Sequence, residues 1–88
     1  MNPLQEQLIA NTDELDTVVL THDIAEHCLV QGDIGAVVHR YKDGSAFEVE
    51  FVTADGKTVA ELMLGPADVR PVGGREVLHA REVAQIAV

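Results

Sequence analysis

Two Asp-Gly pairs, at positions 43–44 and 55–56, divide residues 30–64 into three segments in which apolar and polar side chains alternate. Glycine accepts the positive φ that a tight turn requires, so Asp-Gly between such segments indicates a β-hairpin. In the middle segment three apolar residues share one face, with glutamates on the other: Phe47, Val49 and Phe51. We therefore predict three antiparallel strands joined by two tight turns.

Two β-branched stretches outside this region bring the predicted number of strands to five. The predicted strands are residues 16–20, 34–41, 45–52, 57–64 and 68–72. Gly35 inside the second strand indicates a bulge or a close backbone approach, and Pro71, which lacks an N–H, places the last strand at a sheet edge. The long loop before Ile34 has room for one helical turn at 24–27. In the fourth strand Val59 is expected to share a face with Glu61 and Met63.

These strands enclose one predicted core, which makes the fold class mainly β, a small SH3-like five-stranded barrel over residues 16–72. The expected core residues are Val18, Leu20, Ile34, Val38, Phe47, Val49, Phe51, Leu62, Leu64 and Val69. Residues 1–15 are predicted to form an N-terminal arm, either with a short helix over 2–11, which Asn2 and Pro3 would begin, or as a partly ordered terminus.

The C-terminal tail, residues 73–88, is predicted to be helical after a hinge at Gly73-Gly74. Its apolar residues recur at helical spacing, at Val77, Ala80, Val83 or Ala84, and Ala87, and a strand over residues 86–88 is the alternative. We expect that helix to lie on the barrel or on a partner, with three basic or titratable side chains left in solvent: Arg75, His79 and Arg81.

A length of 88 residues predicts one small domain. Cys28 is the only cysteine, so an internal disulfide is impossible. No apolar run approaches the roughly 18 residues of a membrane span, and the first ten residues do not read as a signal peptide. We therefore expect a cytoplasmic protein without a membrane partner.

The net charge of −9 is unevenly distributed, since residues 1–33 carry seven acidic groups and no Lys or Arg. A nucleic-acid backbone would be repelled by this third of the chain. Direct nucleic-acid binding is therefore disfavoured, and a basic protein partner is favoured.

One cluster of chemically active side chains falls in the long loop: His22, Asp23, Glu26, His27 and Cys28. Its spacing matches neither C-x-x-C nor H-E-x-x-H, the patterns typical of zinc sites. A Cys–His nucleophile would also need an orienting group and an oxyanion site. We predict no metal, no cofactor and no catalytic residue, and hence no enzyme.

Several motifs resemble a bacterial domain-of-unknown-function family of small SH3-like barrels, DUF4926. They are the leading Asp-x-Val-Val-Leu at 16–20, Gly-Asp-x-Gly at 32–35, Phe-Glu-Val-Glu-Phe at 47–51 and Asp-Val-Arg-Pro at 68–71. The resemblance covers residues 16–72 and implies no catalytic residues. It implies an antitoxin-like or accessory role beside a co-expressed partner.

The predicted function is a non-catalytic protein-binding module that neutralises or caps such a partner, which could be a basic toxin. The partner-binding candidates are Asp23, Glu26, Asp33, Glu48, Glu50, Glu61, Val77 and Val83. A second interpretation of these acidic residues is that they only keep the protein soluble. Two other functions stay open: an accessory subunit or maturation factor of an enzyme, by analogy with the nitrile hydratase β barrel, and a self-assembling structural protein or homo-oligomer.

Overall fold

The computed structural model describes residues 16–83 and shows a mainly β protein built on one antiparallel sheet. Its strands are β1 (Thr17–Leu20), β2 (Ile34–Tyr41), β3 (Ala46–Val52), β4 (Thr58–Leu64) and β5 (Val69–Pro71). The order across the sheet is β4-β3-β2-β1-β5, so β5 lies at an edge as Pro71 predicts. All five predicted strands are confirmed to within one residue at each end. The helix predicted over residues 2–11 lies outside the described residues.

Glycines with positive φ form both predicted hairpin turns. Between β2 and β3, Gly44 has a φ of 80° and follows Asp43, whose φ is 26°. Between β3 and β4, Gly56 has a φ of 86°, and the Thr53 N–H donates to the carbonyl of Lys57 at 2.8 Å. The two Asp-Gly pairs thus set the pairing of three neighbouring strands.

The long loop between β1 and β2 supplies a core residue that the sequence pattern does not reveal. Its predicted helical turn is confirmed as a 3₁₀ turn over Ala25–His27. Cys28 follows with a φ of 60° and reverses the chain direction. The Ile24 N–H then donates to the Leu29 carbonyl at 2.9 Å, and Leu29 is only 3% exposed. The loop is therefore packed on the sheet.

Across residues 16–83, one cluster of buried side chains fills the interior. Its members are Val18, Leu20, Leu29, Val37, Phe47, Val49, Phe51, Val59, Ala60, Leu64 and Val69. Seven of the ten predicted core residues belong to it, and the other three, Ile34, Val38 and Leu62, are half-buried. Burying a side chain such as Phe47 contributes about 1.5–3 kcal/mol.

β2 turns toward the core the opposite face from the one predicted. Gly35 and Val37 are buried, whereas Ile34 and Val38 are half-buried. A Cβ at Gly35 would lie 2.5 Å from Val49 Cγ1, which confirms the expected close approach. The assignment of Ile34 and Val38 to the core is wrong, because apolar residues occupy both faces of this strand and the glycine selects the inner one.

β4 contains a bulge that buries two consecutive residues. Its pairing register with β3 shifts at Val59, and both Val59 and Ala60 are buried. The expectation that Val59 shares the outer face with Glu61 and Met63 is wrong. The extra residue of a bulge resets the alternation of a strand, and sequence alternation alone does not show where this happens.

The helix predicted over residues 73–88 is wrong over its described part, residues 73–83, which contain no helix. We call residues 73–83 the tail. Val77 is 95% exposed, whereas Val83 packs against the core, so the residues expected to share one helical face have opposite environments. Side-chain contacts to β5, to the core and to the loop between β1 and β2 hold the tail instead.

The first of these contacts is an ion pair between β5 and the tail. Arg70 donates to both carboxylate oxygens of Glu76, at 2.7 and 2.6 Å, and the Gly73 N–H donates to the same carboxylate at 2.6 Å. The hydrogen bond from Arg70, followed by that from Gly73, lowers the pKa of Glu76 to about 2. The start of the tail is therefore fixed by a charged clamp.

Across residues 16–83, no helical segment has the length and hydropathy that a membrane crossing requires.

Candidate functional site

The outer face of β3 and β4 brings three of the predicted partner-binding residues together. Glu50 pairs directly with Glu61 across the two strands, and Glu48 pairs with Met63. Directly opposed residues of antiparallel strands have Cβ atoms about 4.5–5.5 Å apart. Met63 is 60% exposed, so an apolar side chain stands among three carboxylates. We call these four residues the acidic face.

Hydroxyl groups orient two carboxylates of the acidic face. The Tyr41 hydroxyl donates to Glu48 Oε1 at 3.1 Å, and the Thr58 hydroxyl donates to Glu50 Oε2 at 2.8 Å. The hydrogen bond to Glu48 raises the pKa of Tyr41, with smaller contributions from burial and from the charge of Glu61. Carboxylates held in this way lose less conformational entropy when a ligand binds.

The acidic face also carries an unfavourable charge pair. Like charges directly opposite each other destabilise a sheet, and Glu50 and Glu61 form such a pair. A cationic group placed between the two carboxylates would relieve the repulsion. The arrangement is therefore suited to receive a basic ligand.

Asp33, another partner-binding candidate, lies beneath the tail with a side chain that is 10% exposed. Arg81 donates from Nε to Oδ1 at 2.8 Å and from Nη2 to Oδ2 at 2.5 Å. The Val30 N–H donates to Oδ2 at 2.9 Å, and His79 Nε2 lies 3.2 Å from Oδ1. Burial alone would raise the pKa of Asp33, but these hydrogen bonds, with Arg81 foremost, hold the pKa below its ordinary value.

His79 and Arg81 are exposed as expected, but the sequence pattern does not show that both contact Asp33. They lie 46 and 48 residues from Asp33 in the chain, too far for any local pattern to join them. The distribution of charge along the sequence is a signal that could indicate this contact. The first 33 residues hold no Lys or Arg, whereas the last 24 hold three arginines. A buried carboxylate in the first part needs a cation from elsewhere.

The other four partner-binding candidates lie on the loop and the tail. Asp23 Oδ1 accepts a hydrogen bond from the Gln31 N–H at 2.8 Å, and Glu26 is exposed on the 3₁₀ turn. Val77 is exposed on the tail, and Val83 is half-buried against the core. The structure thus distributes the predicted set over three regions, of which the acidic face holds the densest group.

A histidine–carboxylate pair joins the start of the long loop to the turn before β5. His22 Nε2 lies 2.7 Å from Asp68 Oδ1, and His22 Nδ1 lies 3.0 Å from the carbonyl of Asp23. Both partners are acceptors, so the imidazolium form, in which both nitrogens donate, satisfies them together. The hydrogen bond with Asp68 is the main cause of the raised pKa of His22.

The loop cluster considered as a metal site does not converge in space. Among residues 16–83, no three His, Cys, Asp or Glu side chains come together in a group that could hold a metal ion. Cys28 is half-buried, and its backbone carbonyl accepts a hydrogen bond from Arg81 Nη2 at 2.8 Å. The Cys28 N–H also donates to the Ala25 carbonyl at 3.1 Å, so both backbone contacts of this residue support the fold of the loop and the tail.

The sequence model of one protein family matches residues 14–71, which is 58 of the 88 residues. The chain belongs to that family, described as Domain of unknown function (DUF4926). The match confirms the family resemblance, and it covers all five strands but ends before the tail. Comparisons with curated proteins and with solved structures gave no match.

Proposed function

We propose that this DUF4926 protein is a non-catalytic protein-binding module and that its acidic face receives a basic protein partner. The observation that carries the proposal is the placement of Glu48, Glu50 and Glu61 side by side around the exposed Met63. Three carboxylates on adjacent strands supply charge complementarity, which gives specificity and speeds association.

The composition of the acidic face supports binding better than a role in solubility alone. Charges that only maintain solubility are best dispersed, because opposed like charges reduce stability. Met63 adds a flexible apolar side chain of the kind that adapts to a partner surface. Methionine is also enriched at protein interfaces relative to the rest of the surface.

The scaffold of this module, in our proposal, is a small SH3-like barrel. The strand order β4-β3-β2-β1-β5, in which each strand pairs with its neighbour in antiparallel fashion, supports this fold. So does the single core cluster, to which all five strands contribute. Such a barrel offers an outer strand face as a rigid docking surface.

The partner, in the same proposal, is a co-expressed protein that the module caps in the manner of an antitoxin. The net charge of −9 favours a basic partner of this kind. Binding would cover the partner's basic surface through the acidic face without any chemical step.

Affinity capture with paired variants tests the proposal. Wild-type protein, E50Q/E61Q and E26Q/E82Q would each capture partners from the native host, followed by identification by mass spectrometry. The two double variants change the net charge equally, but only the first alters the acidic face, since Glu26 and Glu82 are exposed on the loop and the tail. We expect a partner that wild type and E26Q/E82Q retain and that E50Q/E61Q loses.

Expression of the captured partner alone completes the test. Arrest of growth that co-expression of the wild-type chain reverses, and co-expression of E50Q/E61Q does not, would support the antitoxin-like role. A partner that is an enzyme without effect on growth would favour the accessory-subunit alternative. Equal loss of the partner from both double variants would contradict the acidic face as the binding surface.

A further inference from the structure

Residues 79–83 of the tail lie in a groove of the sheet and fill only part of it, since a cavity of about 600 Å³ remains between them and the sheet. This cavity is lined by Phe51 and Val59 on the sheet side and by residues 79–83 on the tail side. Val83 already packs against the core cluster along this groove. The tail therefore occupies only part of a cleft that the sheet forms beneath it.

Asp33 forms the charged end of the groove and is built to receive a guanidinium. Its side chain is 10% exposed, and Arg81 reaches both carboxylate oxygens in a two-point contact. The same guanidinium donates to the Cys28 carbonyl at 2.8 Å. A planar fork with several donors matches this set of acceptors, whereas an ammonium group matches it poorly.

The tail binds this groove as a peptide ligand would. Residues 79–83 have no regular secondary structure, and they place one arginine in a charged site and one valine, two residues later, against an apolar surface. Between the clamp at Glu76 and this segment lie Val77 and Leu78, which are 95% and 61% exposed, so this connection can redirect the segment. Exchange of an identical element between two protomers is a low-cost route to a dimer.

We propose that the groove is a receptor site for the tail of a second copy of this chain and that residues 79–83 occupy it in cis as an internal ligand. The tail is the segment whose fit the structure shows, so a second copy carries the matching arginine and valine. The tether keeps the cis tail at a high effective concentration. Exchange is therefore expected when the cis contact is broken. The proposal uses no residue of the acidic face.

Complementary variants test the exchange in the full-length chain. In R81E the carboxylate of Asp33 is unchanged, but the tail carries a negative charge that this carboxylate repels. In D33N the tail is unchanged, but the side chain at position 33 is neutral. We expect each variant alone to be monomeric in analytical ultracentrifugation and a mixture of the two to form a 1:1 complex. Wild type at the same concentration should stay monomeric.

A labelled peptide of residues 75–83 provides a second measurement that does not depend on D33N. Fluorescence anisotropy should show that R81E binds this peptide at least about tenfold more tightly than wild type, because the wild-type groove is occupied in cis. A peptide with alanine in place of Arg81 should bind R81E at least about tenfold more weakly than the native peptide, since it lacks the guanidinium. R75E is the matched control, because it makes the same charge change on an exposed residue of the tail.

Three results would overturn the proposal. One is a mixture of R81E and D33N that stays monomeric while R81E also fails to bind the peptide. Another is equal peptide binding by R81E and R75E, which would show a response to net charge alone. The third is binding of the alanine peptide as tight as that of the native peptide.

Discussion

Gly35 is the residue at which β2 and the core approach most closely. A Cβ at this position would lie 2.5 Å from Val49 Cγ1 and 2.9 Å from Phe51 Cε1. Gly35→Ala should therefore lower the free energy of unfolding by about 1–3 kcal/mol, as overpacking does in a filled core. Urea denaturation that compares midpoints at constant slope measures the change.

Two further substitutions separate overpacking from the general effect of alanine in place of glycine. A Cβ at Gly74 meets nothing within 4 Å, so Gly74→Ala should change the stability by less than about 0.5 kcal/mol. Gly35→Ala combined with Val49→Ala should lose less than the sum of the single losses, because the clashing Cγ1 is gone. Additive losses would contradict the proposed contact.

His22 is a histidine whose contacts favour its charged form. Its pKa is raised, first by the hydrogen bond with Asp68 and then by that with the Asp23 carbonyl. A raised pKa means that the folded state binds the proton more tightly than the unfolded state. The stability from this pair is therefore complete below the ordinary histidine pKa of about 6.5 and is lost as the pH rises through the raised value.

An NMR titration of the imidazole signals of His22 checks this prediction. Asp68→Asn should bring the pKa of His22 down toward its ordinary value, because the charged acceptor is removed. Asp23→Asn is the control, since it leaves the backbone carbonyl that His22 contacts in place. A pKa of His22 that falls equally in both variants would refute the role of Asp68.

At the scale of elements, the opposed carboxylates of Glu50 and Glu61 lower the stability of the β3–β4 pair. Replacing Glu61 with lysine would put opposite charges directly across from each other at Glu50. Such cross-strand pairs contribute about 0.2–1 kcal/mol, so we expect Glu61→Lys to raise the free energy of unfolding by an amount in this range. The same variant should bind the proposed basic partner more weakly.

Glu26→Lys makes the same change of charge on the 3₁₀ turn, where no strand lies opposite. Urea denaturation of the two variants should show a gain for Glu61→Lys that exceeds the gain for Glu26→Lys. An equal gain would mean that the lower net charge, rather than the opposed pair, controls stability.

The elements that could be predicted from sequence are those set by local geometry. The Asp-Gly pairs place the strand boundaries, and the alternation of Phe47, Val49 and Phe51 gives the correct buried face of β3. The inner face of β2 and the bulge at Val59 could not be predicted in this way, because both depend on how neighbouring strands pack. In the tail, helical spacing was outweighed by a contact between Arg81 and Asp33, which only the folded chain brings together.

The residues of the candidate site also divide into those that local sequence predicts and those that only the folded chain brings together. Alternation placed Glu48 and Glu50 on the outer face of β3, and their meeting with Glu61 and Met63 follows from the β3–β4 register. The sequence shows that Asp33 is acidic, but its burial under Arg81 depends on a contact between residues 48 positions apart. Sequence thus finds surface carboxylates of a strand more readily than it finds which loop carboxylate is paired.

At the scale of the whole molecule, the net charge of −9 should steer the association of a basic partner. Steering is long-ranged at low salt, and it weakens once the Debye length falls below about 10 Å. Stopped-flow mixing with the captured partner should show an association rate that falls at least about tenfold between roughly 0.05 and 0.5 M salt. A rate that does not change with salt would contradict electrostatic steering.

The most direct measurement is the mapping of amide chemical shifts on the isotope-labelled chain during titration with the captured partner. Binding through the acidic face predicts that the largest changes fall in Ala46–Val52 and Thr58–Leu64, with Glu48, Glu50, Glu61 and Met63 among them. Changes confined to β1, β5 and the loop between β1 and β2, with β3 and β4 unaffected, would contradict the account.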